Sequence, residues 1–489
     1  MNTTAAIIIT YILSVPAFVY LYLKKKNKAD TAAVCRLILI SGIILRVLYI
    51  CYTSVYIRQH DVEDFSLVDD GHAAYILYLM NNKCLPEINP DSVWQFYHPP
   101  LHHIICALFL SALNRLSVPP DPVGYELLQV LPCLYSFLFC ILSYKTLELF
   151  GINGKALCYS TAFVTFHPTL ILLSGSINND MLAALLSMSA IYFTVKWSKD
   201  KKLSDIIFTA FCIGFGMASK LTAGLVAPAV ALVFLYVFIK NIKEYKRLIL
   251  QFVLFGIICI PIGLFFPIRN YVKFGLPFNY VPMLSDSDPQ HIDKPFFERL
   301  LNFSLYQFSS PFIQWGSDTA LYNEFNPTIA LWKTAAFDGD TFFHNNIAFQ
   351  AVCVILFFCT AFLSVYSAYL LVKNAIKRSC VNTEHQLLIT ALSLTIYINY
   401  LIFCKDYPHV CTQNMRYCVP LIFTQAALFG RRTPAGRFRP TTFSTKSIPE
   451  QTDLLKNNSS ERFCLIIKEA AISLFCCSSI LVYTFLQFT

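Results

Sequence analysis

The chain has 489 residues, of which 56% are hydrophobic and only 14% are charged, whereas soluble proteins carry about 25% charged residues. A water-facing surface cannot be built from so few charges, so the composition excludes a soluble enzyme and a disordered protein. It predicts an all-α polytopic membrane protein. The net charge of +9 does not indicate nucleic-acid binding, because Lys and Arg occur in short clusters between apolar runs, a pattern that sets membrane orientation.

Apolar runs predict about twelve membrane-spanning helices, since about 20 residues cross the hydrocarbon core of a bilayer. The runs lie near 5–23, 33–56, 125–147, 155–174, 180–196, 204–220, 222–240, 248–268, 347–373, 386–404, 414–430 and 463–487. The segment 101–114 is short and follows Pro99-Pro100, which favours an interfacial or re-entrant helix.

Basic clusters predict which ends of these helices face the cytoplasm. They lie at 24–28, 196–202, 240–247, 373–378 and 431–439. With twelve crossings, all of them fall on one side of the membrane, which the positive-inside rule assigns to the cytoplasm. Both termini then lie outside.

The acidic residues are concentrated in two outer segments, 57–100 and 269–346. A transporter normally places ionisable groups inside its spans, whereas the predicted span interiors are nearly free of charge. A site at the outer membrane boundary can meet a lipid head group on one side and an aqueous acceptor on the other. This arrangement favours an enzyme that uses a lipid-linked donor.

Three motifs after the second predicted span resemble a known family: Arg58–Asp64, Asp70-Gly71-His72 and Trp94–His103. They are similar to the first outer loop of the GT-C superfamily of integral-membrane glycosyltransferases. The resemblance is strongest to the protein O-mannosyltransferase and lipid A aminoarabinose transferase branch. In those enzymes the loop begins with an essential acid and ends in a Tyr/His/Lys-Pro-Pro-Leu run that leads into a helix.

Further motifs follow in the same order along 33–430. They are Phe166-His167-Pro168, Ser176–Asp180, Gly216–Thr222, Arg269–Tyr271, Phe274–Pro277 and Asn414–Tyr417 with Pro420. The chain departs from the family pattern by the additional span 5–23. It also lacks a large soluble C-terminal domain, which argues against an oligosaccharyltransferase-like member.

The resemblance implies a GT-C fold in which the outer loops 57–124 and 269–346 form a cap over a cavity. The catalytic core is then 33–430. We expect an extra N-terminal span and basic loop in 1–32, a cytoplasmic basic linker in 431–461 and a C-terminal span in 462–489.

Asp61 is the predicted general base. A carboxylate at the bilayer surface is partly desolvated, which should raise its pKa and make it a better proton acceptor; the alternative is a solvated loop acid. Arg416 and Arg269 are expected to hold the donor phosphate through paired hydrogen bonds, with Lys220 and Lys405 as further candidates. The alternative for these cations is snorkelling to the interface.

Substrate-binding candidates surround these residues in the motifs. They are His60, Glu63, Tyr97, His98, Asn179 and Asp180. His60 and His98 either hydrogen-bond the sugar and orient Asp61 or simply pack in the loop, and Glu63 and Asp64 are solvated or support the site indirectly. Asp180 has helix capping as its alternative role. The aromatic candidates Trp94, Trp315 and Trp332 either stack on a sugar or anchor at the interface.

No metal site is predicted, although divalent metal dependence stays an alternative. His102-His103 is half of a metal site without matching ligands, and Asp286-Ser287-Asp288 has the D-x-D form that binds a cation in some glycosyltransferases. The cysteines show no metal-ligand spacing. A monophosphate carrier needs less charge neutralisation than a pyrophosphate, so fixed cations can in principle replace a metal.

The predicted function is inverting transfer of a sugar from a polyprenyl (undecaprenyl or dolichyl) phosphate to an acceptor glycan, lipid or protein on the outer or lumenal face. No cofactor and no nucleic-acid partner are expected, and a bacterial plasma membrane is favoured over the endoplasmic reticulum. A transporter or lipid flippase is the first alternative, and a non-catalytic scaffold is the second.

Overall fold

The computed structural model describes residues 3–63, 65, 70–315, 324–342, 346–376, 383–431 and 459–486. Within these residues the regular secondary structure is helical, and the only β contact is an isolated bridge between His291 and His409. The all-α prediction is therefore confirmed. Asp64 and most of the predicted linker 431–461 lie outside the described residues.

The helices follow the predicted apolar runs closely. They are α1 (Thr3–Lys25), α2 (Thr31–Tyr52), α3 (Gly71–Asn82), α4 (Leu101–Arg115), α5 (Tyr125–Leu127), α6 (Val130–Leu149), α7 (Gly154–Thr165), α8 (Pro168–Leu172), α9 (Asp180–Asp200), α10 (Leu203–Ser219), α11 (Ala227–Lys240), α12 (Tyr245–Phe274), α13 (Phe296–Leu301), α14 (Pro327–Phe337), α15 (Ile347–Ile376), α16 (Thr383–Asp406), α17 (Pro420–Gly430) and α18 (Ser459–Phe485).

Eight helical segments of the described chain are long and apolar enough to cross a membrane, so the chain is a multi-pass membrane protein. They are Thr31–Tyr52, Pro120–Leu149, Asp180–Asp200, Leu221–Lys240, Ile242–Phe274, Ile347–Ile376, Thr383–Asp406 and Phe463–Phe485. Other predicted runs are shorter: α10 has 17 residues and α17 has 11. The predicted count of twelve spans stays a prediction.

The predicted run 155–174 is broken into α7 and α8 at His167-Pro168, because a residue before proline disfavours the helical conformation. The break leaves the Thr165 carbonyl without a helical partner, and Arg46 of α2 supplies the missing hydrogen-bond donor. Its Nη1 donates to the Thr165 oxygen at 2.9 Å and its Nε to Ser136 Oγ at 2.8 Å. Arg46 is thus a buried charge inside a predicted span, satisfied by neutral acceptors.

Hydrogen bonds between loops show that the helices alternate in direction. Asn179 Nδ2, at the start of α9, donates to the carbonyl of Ser219, the last residue of α10, at 2.9 Å. At the opposite end of α9, Lys201 Nζ donates at 2.9 Å to Oδ1 of Asn241, which follows α11. The basic clusters around Lys201 and Asn241 therefore share an end. This agrees with the predicted orientation and separates them from the loops that contain the predicted site residues.

The start of α3 fixes the position of Asp61. The first amide groups of a helix lack helical partners, and here backbone carbonyls supply them: His72 N donates to the Asp61 oxygen at 2.9 Å, and Ala73 N to that of Val62 at 2.9 Å. Gly71 has φ +78°, and a Cβ there would lie 2.6 Å from Glu63 Cγ. Only glycine fits this turn.

The outer segment 269–346 is tied to the bundle by buried charges. Lys333 Nζ of α14 lies 2.7 Å from Glu324 Oε2, and both side chains are 0% exposed. Arg299 of α13 donates to the Cys404 carbonyl of α16 at 2.9 Å and to that of Phe325 at 3.2 Å. These contacts hold α13 and the segment before α14 against the outer end of α16.

Candidate active site

The predicted base and one predicted phosphate-binding residue form an ion pair. Arg416 Nη1 lies 3.0 Å from Asp61 Oδ2, with the Arg416 side chain 8% exposed and that of Asp61 31% exposed. Arg416 Nη2 donates to the Tyr417 hydroxyl at 2.9 Å. Arg416 Nε is buried and has no hydrogen-bond partner in the part of the chain that the structure describes. The guanidinium therefore keeps an unused donor beside the carboxylate.

The charge state of Asp61 differs from the one expected. Burial raises its pKa, but the charge of Arg416, followed by that of His60, more than offsets this and lowers the pKa to about 2. The argument that desolvation makes Asp61 a stronger base is therefore wrong for this state of the protein. A carboxylate paired with a guanidinium is a weak proton acceptor, so Asp61 can act as a base only after Arg416 finds another partner.

A second ion pair lies beside the first. Lys220 Nζ donates to Asp180 Oδ1, and these side chains are 9% and 3% exposed. The Lys220 nitrogen lies 5.0 Å from the centre of the Tyr417 ring, over which Arg416 also lies. Asp180 thus has a charged partner rather than a capping role, whereas Asn179 ties the start of α9 to the end of α10.

Arg416 and the Lys220–Asp180 pair line one small pocket beside Asp61. Its polar lining comes from Asp180, Lys220, Arg416 and Tyr417, together with Ser187 and Thr222. The remaining lining is apolar and consists of Ala183, Ala184, Ala223, Leu225, Val226, Ile396, Val419 and Pro420. Two cations at the edge of an apolar cleft match an anionic head group with a hydrocarbon chain.

Tyr97 and His98 belong to the same region. Burial raises the pKa of Tyr97 well above its ordinary value, and Asp61, Arg416 and Asp180 act on its hydroxyl electrostatically. Burial, followed by the charge of Lys220, lowers the pKa of His98 well below its ordinary value. His98 is therefore a neutral hydrogen-bonding group near the cations.

Three further histidines pack behind His98. His72 stacks on His98 with ring centres 5.4 Å apart, and His72 Nδ1 lies 2.8 Å from His103 Nε2. Burial lowers the pKa of His102 to about 4. These neutral rings form a wall behind the site, and the described residues contain no group of three or more His, Cys, Asp or Glu that could hold a metal.

The D-x-D motif at 286–288 does not form a metal site within the described residues. Asp288 Oδ1 accepts a hydrogen bond from the backbone of Gln290 at 2.8 Å, which is a local turn. The Asp286 side chain is 88% exposed. Asp288 of this motif therefore stabilises a turn of the loop.

Arg269 is not brought to the Asp61–Arg416 pair. It donates to the Pro86 carbonyl and, at 3.1 Å, to Asn270 Oδ1, so its described contacts tie α12 to the loop after α3. Lys220 occupies the position beside Arg416 that Arg269 was expected to fill. The other reserve cation, Lys405, is 62% exposed and lies 3.8 Å from Asp406. Glu63 is exposed, in agreement with its solvated alternative.

The sequence analysis missed Asp338 and Asp340, which join the site through His60. His60 Nε2 lies 2.5 Å from Asp338 Oδ2, and Asn414 Nδ2 donates to Asp338 Oδ1 at 2.6 Å. Burial, followed by the charge of Asp338, raises the pKa of Asp340 to about 6. The available signal was a second D-x-D motif, Asp338-Gly339-Asp340, in the same acidic loop.

Comparisons with known proteins gave a family match and a structural similarity. Residues 98–265 match the family model of dolichyl-phosphate-mannose-protein mannosyltransferase. The structure is similar to the crystal structure of ArnT from Cupriavidus metallidurans in the apo state, with a TM-score of 0.49 and 12% identity over 90% of this chain and 74% of that chain. A comparison with curated proteins gave no match. The resemblance predicted from the sequence is thereby confirmed for residues 98–265, which are similar to the dolichyl-phosphate-mannose-protein mannosyltransferase family.

Proposed function

We propose that this protein transfers a sugar from a polyprenyl-phosphate-linked donor to an acceptor nucleophile, with inversion at the anomeric carbon. One observation carries the proposal: Asp61 and Arg416 meet at 3.0 Å beside a partly apolar pocket that also contains Lys220. A base candidate, two phosphate-binding candidates and a hydrocarbon-compatible cleft are the parts that such a reaction needs.

Donor binding would activate Asp61. A phosphate can take two hydrogen bonds from a guanidinium, and Arg416 has a free Nε for this contact. As Arg416 turns to the phosphate, Asp61 loses the charge that holds its pKa at about 2. Its pKa rises, and the carboxylate becomes a competent proton acceptor.

The chemical step would follow in line. The acceptor hydroxyl or amine attacks the anomeric carbon, its proton passes to Asp61, and the bond from that carbon to the phosphate oxygen breaks. The polyprenyl phosphate leaves with the bond electrons, and Arg416 and Lys220 stabilise its charge. Tyr97 and His98 would hydrogen-bond the sugar.

We place this site on the non-cytoplasmic face, because the basic clusters occupy the opposite ends of the helices. A bacterial plasma membrane stays our prediction for the location. The test below distinguishes this proposal from the transporter and scaffold alternatives. A transporter has no compartments to transport between in detergent, and a scaffold would release no polyprenyl phosphate.

The test is donor consumption by the full chain purified in detergent. Dolichyl- and undecaprenyl-phosphate mannose are supplied with glycan, lipid or peptide fractions, and mass spectrometry detects the released polyprenyl phosphate. Asp61→Asn should slow release about 10²–10⁴-fold. Asp286→Asn, which removes a loop carboxylate that is 88% exposed, is the matched control. Wild-type turnover by Asp61→Asn, or no release with any fraction, would overturn the proposal.

A further inference from the structure

Two cysteines from different helices meet at the same end of the bundle. Cys35 of α2 and Cys158 of α7 are separated by 123 positions, yet their Sγ atoms lie 3.8 Å apart. Each is the fifth residue of its helix, which places both about 6 Å from the helix start at a rise of about 1.5 Å per residue. No local spacing in the sequence indicates this contact, because only helix packing brings the two thiols together.

The helices α2 and α7 pack closely along a seam that includes both thiols. Gly42 lies seven residues after Cys35, and Thr165 lies seven residues after Cys158; a Cβ on Gly42 would overlap the Thr165 side chain. One turn further along α2, Arg46 Nη1 donates to the Thr165 carbonyl at 2.9 Å. Seven residues make about two helical turns and return to the same face. The two helices therefore run in parallel and in register, and this packing holds the sulfur atoms near each other.

The contact is close to the geometry of a disulfide. A disulfide bond is about 2.05 Å long, so the two sulfur atoms must approach by about 1.8 Å from their 3.8 Å contact. Rotation between staggered side-chain rotamers can supply this movement while the helices stay packed. Cys35 is 0% exposed, whereas Cys158 is partly exposed, so an oxidant reaches the pair through Cys158.

We infer that Cys35 and Cys158 are a reversible redox pair, which a two-electron oxidant such as hydrogen peroxide joins into a disulfide between α2 and α7. This role goes beyond the proposed sugar transfer and does not depend on it.

The oxidation begins at the accessible thiol. The Cys158 sulfur, as the thiolate, attacks one oxygen of hydrogen peroxide, the O–O bond breaks, and the departing hydroxide takes up a proton to become water. Cys158 is then a sulfenic acid. The Cys35 sulfur attacks the Cys158 sulfur, the S–O bond breaks, and a second water leaves with the Cys35 proton. The two thiols thus lose two electrons, the peroxide is reduced to two waters, and a small dithiol reverses the bond by exchange.

Reversibility agrees with the predicted location of the pair. The helix α2 begins shortly after the basic cluster 24–28, which the positive-inside rule assigns to the cytoplasm. Disulfides in that compartment are transient and redox-sensing. The bond would close the segment 35–158, which contains Asp61, Tyr97 and His98. Closing a long segment restricts the unfolded chain, so the oxidised protein should resist unfolding more than the reduced protein.

The test is peptide mapping of the full chain purified in detergent, after treatment with hydrogen peroxide and alkylation of the remaining thiols. Mass spectrometry should detect a peptide pair joined through Cys35 and Cys158, and dithiothreitol should remove it. Cys158→Ser should abolish the joined pair. Cys51→Ser, which removes an exposed thiol of the same helix α2, is the matched control and should form the joined pair as wild type does.

Thermal unfolding gives a second measurement. Oxidation should raise the melting temperature of wild type and of Cys51→Ser by about 5 °C or more, and dithiothreitol should reverse the rise. Cys35→Ser should show no rise, because its Cys158 thiol has lost its partner.

Two outcomes overturn the inference. The first is no joined pair in wild type under conditions that oxidise the exposed Cys51, which would leave Cys35 and Cys158 as a packing contact only. The second is a joined pair with equal melting temperatures in the oxidised and reduced protein, which would contradict a bond that holds α2 to α7. Neither outcome bears on the proposed function, which is measured by donor consumption and its dependence on Asp61.

Discussion

Asp61 occupies a left-handed backbone conformation, with φ +56°, which is uncommon for residues other than glycine, asparagine and aspartate. The conformation turns the chain so that the Asp61 carbonyl receives the His72 amide while its carboxylate meets Arg416. The same turn places His60 against Asp338. This turn thus connects the Asp61–Arg416 and His60–Asp338 pairs to the start of α3.

Arg416 should matter more for turnover than Arg269. Arg416 adjoins Asp61 and the pocket, whereas the described contacts of Arg269 are with Pro86, Glu87 and Asn270. Arg416→Gln should lower the turnover number about 10²-fold or more, as expected when a charge-stabilising donor is removed. Arg269→Gln is the matched control and should cost much less. Equal losses in the donor-consumption assay would move the phosphate site towards Arg269.

The His60–Asp338 pair predicts a pH dependence of stability. Burial lowers the pKa of His60, but the charge and hydrogen bond of Asp338 together with the charge of Asp61 outweigh it, so the folded pKa lies above the ordinary value of 6.5. A histidine with a raised folded pKa stabilises the fold fully below its unfolded pKa and loses this effect as the pH rises through the folded value. The melting temperature in detergent should therefore fall as the pH rises above about 6.5. His60→Gln should flatten that part of the profile, and an unchanged slope would contradict the ion pair.

At the scale of helices, the buried Arg46 stabilises the break between α7 and α8. The Thr165 carbonyl, freed by His167-Pro168, accepts from Arg46 Nη1 at 2.9 Å, so a cation lies at the C-terminal end of α7, where the helix dipole favours it. Lys468 of α18 repeats this arrangement by donating to the Phe429 carbonyl of α17 at 2.9 Å. Charges inside the bundle thus serve helix ends that cannot reach water.

Removal of Arg46 should destabilise the bundle. Arg46→Met leaves the Thr165 carbonyl and the Ser136 hydroxyl with lost donors, which should cost about 2 kcal/mol or more of unfolding free energy. Arg36→Met is the matched control on the same helix, since Arg36 is exposed and its Nε donates only to Ala32 one turn away. Thermal unfolding in detergent measures the difference in stability between the two variants. Equal melting temperatures would contradict a stabilising role for the Arg46–Thr165 hydrogen bond.

At the scale of the whole molecule, the buried Lys333–Glu324 pair couples the outer segment 269–346 to the helices. Lys333→Met would leave the Glu324 carboxylate buried without its cation, at a cost of about 3–5 kcal/mol. Adding Glu324→Gln should restore much of the stability, because no unpaired charge remains. Thermal unfolding of the wild type and of the single and double variants tests this coupling. A double variant as unstable as Lys333→Met would contradict the prediction.

The sequence by itself determined the class of protein and much of the helix order. Apolar runs and basic clusters are local properties of the chain, and the bilayer requires every spanning backbone to satisfy its own hydrogen bonds. The same local signals identified Asp61 and Arg416, because each belongs to a recognisable motif.

Only the tertiary structure decided which charges meet. Asp61 and Arg416 are separated by 355 positions, and no local pattern showed that Lys220 rather than Arg269 lies beside them. Packing also brought Asp338 and Asp340 next to His60 and lowered the pKa of Asp61 to about 2. The reason is physical: the interaction between charges depends on their distance and burial in the folded protein, which helix packing fixes after the local patterns have formed the helices.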